Sequence, residues 1–320
     1  RPRPLAFSLY QELITNEVWA RQRKAYGYRD VTKVPLMNSF GGQPFINVRA
    51  SLTSLIPADL EDDIAEKLMN FYQSKLRASP ELHDKLEFEV VFSCATVDIK
   101  KRLSALSNIG FRTSEINKIE MSLTKLTNNI IKNGGKFAED IAALQKLKQV
   151  SEIDQTGPVN TVKTIKTLIN EAKKFGTLPF AGLARSGFIA VQMLKAFIDA
   201  EVITTKDFTS FLETIVTVSG KMQSDKAKMT KKEFLEIYGH LRPGTYNILV
   251  PRYDEAPDQY FSWDAGAELA PQKSTFEFTK KQMLQIDQLN WKAGIDLNSK
   301  EMLEFIVLAI QYREKAKFEF

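Results

Sequence analysis

The sequence predicts a mainly α fold, a multi-helix bundle with a few short extended segments. Apolar residues recur at helical spacing through most of the 320 residues. Thr230, Thr279 and Asn298 each precede such a run and are followed three positions later by Glu or Gln, which is the pattern of a capped helix start. Glycines such as Gly27 stand where periodic runs end, as is typical of helix C-termini.

The first elements alternate between helical and irregular sequence. Residues 5–26 predict a helix that stops before Gly27. The stretch "NSFGGQPFINVRASL" (38–52) predicts short extended segments or an irregular loop crossing the core. Pro57 then opens "PADLEDDIAEKLMNFYQSKL", whose early acids and basic end suit the dipole of a helix.

The middle of the chain predicts further helices. The stretch "LEFEVVF" (86–92) fits a strand or a buried helical turn, and its pattern does not choose between them. Thr113 and Ser114 predict the cap of a helix that ends at Gly134 and Gly135. Residues 158–175 predict another helix, ending before Gly176.

Residues 178–198 ("LPFAGLARSGFIAVQMLKAFI") differ from the other predicted helices because they are apolar nearly all round. Such a helix belongs in the middle of a bundle. Arg185 lies inside this run, and a buried guanidinium requires a partner. The partner is either a core Glu or Asp, which would make a structural ion pair, or the carboxylate or phosphate of a ligand.

Arg49, Glu87 and Glu89 raise the same question in other apolar stretches. Arg49 follows an apolar segment that is expected to cross the interior, and the two glutamates lie in "KLEFEVVF". The buried arginines and glutamates either pair with one another or bind a zwitterion, with arginine on its carboxylate and glutamate on its ammonium group.

Composition excludes several classes of function. The net charge of +5 comes from lysines and acids that alternate on helix faces, so we expect no nucleic-acid partner. We expect no membrane partner, because no apolar run reads as long enough to span a bilayer. Cys94 is the only cysteine, which favours a cytoplasmic location, and two distant histidines give no metal site. Nucleotide-binding glycine motifs are absent, so no cofactor is expected in this chain.

The segment "EIYGHLRPGTYNILVPRYDEAPD" (236–258) breaks the helical pattern with a Pro-Gly turn. His240 and Arg242 stand beside that turn. They either converge on a substrate or serve the fold, with His240 capping a helix end and Arg242 pairing with Glu255.

Four stretches carry a resemblance to a known family. "YGHLRPGTYNILVPRYDEAPD" resembles the GH-R-PG segment of phosphoenolpyruvate-synthase-like phosphotransferases. The other three are "RPRPLAFSLYQELIT", "GGQPFINVRASLTSLIPADL" and "GTLPFAGLARSGFIAVQML". Together they match best the branch linked to capsule polysaccharide biosynthesis, which includes the glutamine kinases. Asn47 stands where that family usually has Asp, which puts a charge-dependent role at position 47 in doubt.

The resemblance implies a phosphotransferase that moves a phosphoryl group from Mg-ATP, bound by an ATP-grasp domain, to a histidine on a mobile domain and then to an acceptor. This chain resembles the middle, acceptor-binding region and is expected to be inactive alone. Residues 1–275 would form the acceptor-binding domain and 276–320 a helical hairpin leading to the phosphohistidine domain. The acceptor implied is the amide of L-glutamine; the alternatives are a non-amino-acid acceptor, or a structural linker between the two other domains.

The predicted site unites the candidates from the residues and from the resemblance. His240 and Arg242 are the predicted catalytic residues, and a set of six is predicted to bind substrate: Arg49, Ser51, Arg185, Glu87, Glu89 and Tyr246. A small polar cavity near these arginines would favour an amino-acid acceptor, a wide apolar cavity another acceptor, and no cavity the linker role.

Overall fold

The computed structural model describes residues 3–147, 161–243, 249–263 and 275–319, and these confirm a mainly α fold. The helices are α1 (Pro4–Tyr10), α2 (Val18–Tyr26), α3 (Val48–Thr53), α4 (Asp62–Ala78), α5 (Ile99–Ser104), α6 (Thr113–Ile131), α7 (Lys136–Gln145), α8 (Thr161–Glu171), α9 (Leu178–Asp199), α10 (Thr205–Thr214), α11 (Val218–Lys228), α12 (Lys231–Tyr238), α13 (Pro257–Tyr260), α14 (Lys280–Ala293) and α15 (Ser299–Glu319). Short π-helical turns span Gln11–Thr15, Leu86–Val90 and Ala172–Thr177, and 3-10 turns span Pro80–Asp84 and Ala105–Ile109.

Helix α9 is the central element, as its apolar sequence predicts. It packs along α15 on one side and against α2 and α7 on others. Its buried apolar residues, among them Leu183 and Phe197, belong to one large core cluster that also includes residues of α2, α6, α7, α14 and α15. A second core cluster joins α3, α4 and α5 to the first half of α6. The polar residues discussed below lie where α2 and the turn Leu86–Val90 meet α9.

The prediction that one helix ends before Gly176 is wrong. Helix α8 continues through the π-helical turn Ala172–Thr177 directly into α9, so Val162–Asp199 is helical without a break. By length and composition this 38-residue stretch is apolar enough to cross a membrane, which corrects the expectation that the chain has no such run. Its most apolar window is 67% buried among the other helices, as in the core helix of a globular fold.

The stretch 38–52 contains short extended segments, as predicted, but they form a hairpin on the surface and do not cross the core, and its last residues begin α3. Strand β1 (Met37–Phe40) pairs antiparallel with β2 (Gln43–Ile46), and all four residues of β2 are exposed. The connecting Gly41 and Gly42 have φ of 57° and 75°, a conformation that suits the tight turn of a two-residue hairpin. The apolar side chains of Phe45 and Ile46 in β2 are accordingly about half exposed to solvent.

The predicted helix starts are confirmed at three positions. Thr230 and Thr279 cap α12 and α14 with reciprocal bonds to the residue three positions later, and Asn298 does the same before α15. Thr113 is different, because it is the first residue of α6 and not its cap. Glu115 closes that end by accepting from the backbone N–H of Arg112 at 2.6 Å.

Residues 280–319 pack within the same core as α9. A Cβ added to Gly187 of α9 would lie 2.7 Å from Arg313 Cδ and 3.4 Å from the Ala309 carbonyl oxygen, so α9 and α15 approach closely. The division of the chain at residues 275 and 276 remains a prediction.

Candidate functional site

Arg185 makes a buried ion pair with Glu87. The Arg185 side chain is 4% exposed, and its Nη2 lies 2.9 Å from Glu87 Oε1. Arg185 reaches the glutamate because its long side chain extends from α9 toward the turn Leu86–Val90, which packs on that helix. Two residues that the sequence singled out separately are therefore partners. The ring of Tyr28 covers the guanidinium at 5.1 Å.

Arg23 of α2 is a second cation at the same carboxylate. Its Nη2 lies 3.6 Å from Glu87 Oε1, and its Nη1 donates to the Ser54 hydroxyl and, at 3.4 Å, to the Ser51 carbonyl oxygen. The guanidinium also lies over the ring of Trp19 at 5.1 Å. Arg23 and Glu87 are the partly exposed members, with side-chain exposures of 16% and 14%, so the cluster reaches solvent on their side.

The cluster of Arg23, Arg185 and Glu87 contains two cations and one anion. Burial and, to a smaller extent, the positive charge of Arg185 together lower the pKa of Arg23 to about 10. Burial also opposes the charge on Arg185, but the adjacent Glu87 carboxylate outweighs it and the pKa of Arg185 lies above its usual value. Both arginines remain protonated at neutral pH, so the cluster has a net charge of +1 that a further anion would balance.

The turn that carries Glu87 is clamped to one face of α9. Gln192 Nε2 donates to the Glu87 carbonyl oxygen at 2.5 Å, and Phe88 packs edge-on against Phe188 with ring centroids 5.0 Å apart. With Arg185, these residues stand at the spacing of successive turns on one side of α9. The backbone at Glu87 is therefore held in place, and its carboxylate pairs with Arg185 and Arg23 through Oε1 while Oε2 has no hydrogen-bond partner among the described residues.

Unsatisfied hydrogen-bonding groups concentrate around α2 and α9. In the described part of the chain, ten buried side-chain N or O atoms have no partner, and seven of them lie on α2, α9 or the π-helical turns. The seven are Thr15 Oγ1, Trp19 Nε1, Gln22 Nε2, Glu87 Oε2, Thr177 Oγ1, Arg185 Nε and Arg185 Nη1. Buried polar atoms are normally paired, so such a concentration is expected where a ligand or bound water completes the structure.

A second polar cluster, formed by Tyr26, Asp140 and Ser186, lies beside the first where α2 meets α9. Tyr26, one turn after Arg23 on α2, donates from its hydroxyl to Asp140 Oδ2 at 2.6 Å and lies 3.4 Å from Ser186 Oγ. Burial raises the pKa of Asp140 to about 7. Gly182 makes room for this carboxylate, since a Cβ there would lie 1.8 Å from Asp140 Oδ2.

Arg49 and Glu89 are not buried, contrary to prediction. The Arg49 side chain is 59% exposed and approaches only Glu66, at 3.9 Å, among the described residues. It lies in the exposed first turn of α3, directly after the surface hairpin, which explains why an apolar sequence context was misleading. Glu89 is exposed because it stands two residues after Glu87 in a helical turn, on the side away from α9.

The remaining predicted residues lie in three environments. Ser51 is buried and contributes its carbonyl oxygen to the Arg23 contact. His240 is exposed just beyond the end of α12, and Arg242 Nη2 lies 3.9 Å from Glu255 Oε2, the partner expected for a structural role. Tyr246 lies outside the described residues. The structure thus unites Arg185, Glu87 and Ser51 around Arg23, whereas Arg49 lies near Glu66, Arg242 lies near Glu255 and His240 is exposed.

Sequence reasoning missed Arg23, Asp140 and Gln192. Arg23 looked like one of several charges at the end of a surface helix, in "ARQRKAY". The available signal was its spacing, because Trp19, Arg23 and Tyr26 share one face of α2. Asp140 gave no signal, since nothing local distinguishes it from the exposed Glu139 beside it.

Two surface grooves lie apart from this cluster. One, of about 590 Å³, lies between α6 and the end of α14, and the other, of about 600 Å³, lies beside α2 and residues 32–33. Neither is lined by Arg49, Arg185 or Arg242, so neither is the cavity that an acceptor at these arginines was expected to occupy, and this observation favours the linker role. The atoms of Arg185 without hydrogen-bond partners are buried, so a ligand would reach them only if the surrounding side chains moved.

Within the described ranges, no group of three His, Cys, Asp or Glu side chains could hold a metal ion. Comparison with known proteins gave no match: no family model, curated protein or solved structure is significantly similar to this chain.

Proposed function

We propose that the chain is the acceptor-binding region of an ATP-dependent phosphotransferase, and that Arg23, Arg185 and Glu87 bind the acceptor. The observation that carries the proposal is a buried cluster with a net charge of +1 and with unpartnered atoms on Arg185 and Glu87. A carboxylate on the acceptor would replace the Glu87 carboxylate at Arg185 and satisfy both arginines. The sequence resemblance supplies the reaction.

The acceptor proposed first is L-glutamine, whose amide would receive the phosphoryl group, as in the glutamine kinases of capsule polysaccharide biosynthesis. Glu87, displaced from Arg185, would then meet the ammonium group of the amino acid. Mg-ATP and the phosphohistidine would be supplied by other domains of the same polypeptide, in the cytoplasm. Alone, this chain would bind the acceptor without phosphorylating it.

A non-amino-acid carboxylate is the second candidate, and the charge count favours it. Two arginines, Glu87 and one carboxylate sum to zero, whereas an added ammonium group restores a net charge of +1 in a buried site. Each candidate therefore has one structural argument: the free Glu87 Oε2 suits an ammonium group, and the charge balance suits a simple monoanion.

Calorimetric titration of this chain with three related compounds tests the proposal. If the acceptor is an amino acid, L-glutamine should bind more tightly than its analogue lacking the amino group. If the acceptor is a simple carboxylate, the analogue should bind more tightly. Glutamine with its α-carboxylate converted to an amide should not bind, because the arginines would have no anion. If none of the carboxylates binds, the cluster is a structural ion pair and the linker role is favoured.

A matched pair of variants on α2 locates the site. Arg23→Ala should weaken binding about thirty-fold or more, since removing one partner of a buried charged pair costs roughly 2 kcal/mol or more. Arg21→Ala, two residues away with its side chain 62% exposed, should bind as the unmodified chain does. Equal affinities for the two variants would place the ligand elsewhere.

A further inference from the structure

The groove between α6 and α14 has no role in the proposed function. Its volume, about 590 Å³, is in the range of small-molecule sites. The wall from α14 presents Trp291, which is 82% exposed, and the wall from α6 presents Met121, which is 72% exposed. Both side chains line the groove, so their exposed apolar surface is available to a bound molecule.

The groove has a rigid frame. Asn128 of α6 donates from Nδ2 to the Gly294 carbonyl oxygen at 2.8 Å and accepts from the Asp296 N–H at 3.2 Å, which fixes the turn after α14. Gly294 adopts a φ of +68°, and a Cβ there would lie 3.2 Å from Thr124 Cγ2. Trp291 therefore lies in the last turn of a helix whose end is held in place by these hydrogen bonds.

The charges of the groove balance. Lys125 and Lys292 are matched by Glu120 and Asp296 along the walls. Lys125 and Glu120 have partners outside the groove, Asp59 at 3.2 Å and Lys100 at 3.8 Å. The Lys292 ammonium and the Asp296 carboxylate have no hydrogen-bond or ion-pair partner among the described residues. The groove thus offers one aromatic platform, one donor and one acceptor, with no net charge to attract an ion.

We propose that this groove binds a neutral sugar ring, stacked on Trp291, with its hydroxyl groups bonded by Asp296 and Lys292. A pyranose has an apolar C–H face and a rim of hydroxyl groups, which matches a single aromatic wall with polar groups at its edge. Adenosine, whose base can also stack on a single aromatic side chain, is the competing ligand in the test below. Because the groove is open and has one platform, the expected dissociation constant is in the millimolar range.

Tryptophan fluorescence of the chain, titrated with the methyl glycosides of glucose, galactose and N-acetylglucosamine, tests this proposal. At least one should give a saturable change, which Trp291→Ala should abolish and Asp296→Asn should weaken at least several-fold. Leu284→Ala, at another exposed position of α14, should leave the titration unchanged. Because Trp291 is so exposed, Trp291→Ala should retain the circular dichroism spectrum and melting temperature, which separates lost binding from unfolding.

Three results would overturn the proposal: no saturable change with any of the three glycosides, a change with adenosine alone, or a change that persists in Trp291→Ala. Self-association of the chain that Trp291→Ala abolishes would identify the groove as a contact between copies instead. The outcome is independent of the glutamine titration, which concerns other residues.

Discussion

Asp140 carries a buried carboxyl whose ionisation opposes folding. Its pKa is raised by burial from 3.8 to about 7, so the folded chain holds this proton more tightly than the unfolded chain does. The stabilising contribution of the protonated form is complete below about pH 4 and is lost as the pH rises to about 7. Above that range, folding leaves a charged carboxylate in a poorly solvated position.

Asp140→Asn should remove this pH dependence. An amide stays neutral and can still accept the bond from Tyr26, so the variant should be more stable than the unmodified chain at pH 8 by about 2–4 kcal/mol. The advantage should disappear near pH 4. Urea denaturation across this range measures it, with Asp59→Asn as the exposed control. A constant difference at all pH values would contradict the assignment.

Gly182→Ala should destabilise the chain by about 1–3 kcal/mol, because the methyl group has no space. The added Cβ would lie 1.8 Å from Asp140 Oδ2 and 2.7 Å from the Tyr26 hydroxyl. Gly220→Ala in α11 is the control, since its nearest contact, Thr217 Oγ1, is 3.4 Å away and alanine favours a helix by about 0.5–1 kcal/mol. Equal urea midpoints for the two variants would show that α7 moves aside freely.

For single residues, the sequence predicted that Arg185 is buried but did not identify its partner. Hydrophobic periodicity indicates which residues are buried, but not which residue lies across the interface. Arg185 could be recognised from an all-apolar helix. Arg23 could not, because its helix is amphipathic and reads as a surface helix until α9 is placed against it. Arg49 was misread for the opposite reason, since an apolar sequence need not be buried when it forms a projecting hairpin.

Among the elements, helix α3 depends on a single cap. Asn47 Oδ1 accepts from the Ala50 N–H at 3.0 Å, so this residue has a structural role. In the family that the sequence resembles, the same position is usually Asp. Asn and Asp cap helices about equally well. Asn47→Asp should therefore keep the stability of the chain, whereas Asn47→Ala should lose about 1 kcal/mol. Thermal denaturation of both variants measures this, and an unchanged stability of Asn47→Ala would mean that the cap contributes nothing.

Helix starts were the most predictable elements, because a cap and the residue three positions later are local features that sequence displays directly. The π-helical turn Ala172–Thr177 could not be predicted. Gly176 reads as a stop signal, but in the structure it is buried where α8 runs into α9, and tertiary packing overrides the local preference.

At the scale of the whole molecule, α15 and α9 form the longest packed pair. Deleting residues 276–320 would expose the apolar face of α9 that now meets Met302, Ile306 and Ala309. We expect the shortened chain to lose its cooperative unfolding transition and to bind a hydrophobic dye. Calorimetry and dye fluorescence measure this. A shortened chain that keeps one sharp transition would instead support a domain boundary at residue 275.

The helical class could be predicted from composition and periodicity over the whole chain. These properties are averages over many residues, so one misread segment does not change them. The arrangement of α9 against α2, α7 and α15 did not follow, because a helix apolar on all sides does not specify which neighbour takes which side.

The single thiol, Cys94, reports how often the fold opens around it. Cys94 is fully buried, its Sγ donates to Gln192 Oε1 at 3.4 Å, and burial raises its pKa to about 11. A thiol reagent therefore reacts only when the fold opens locally enough to expose Cys94. The rate at which the reagent labels Cys94 therefore measures how often this local opening occurs. If the acceptor binds between Arg185 and Glu87, saturating acceptor should slow the labelling, and a rate unchanged by a bound acceptor would show that the openings occur elsewhere.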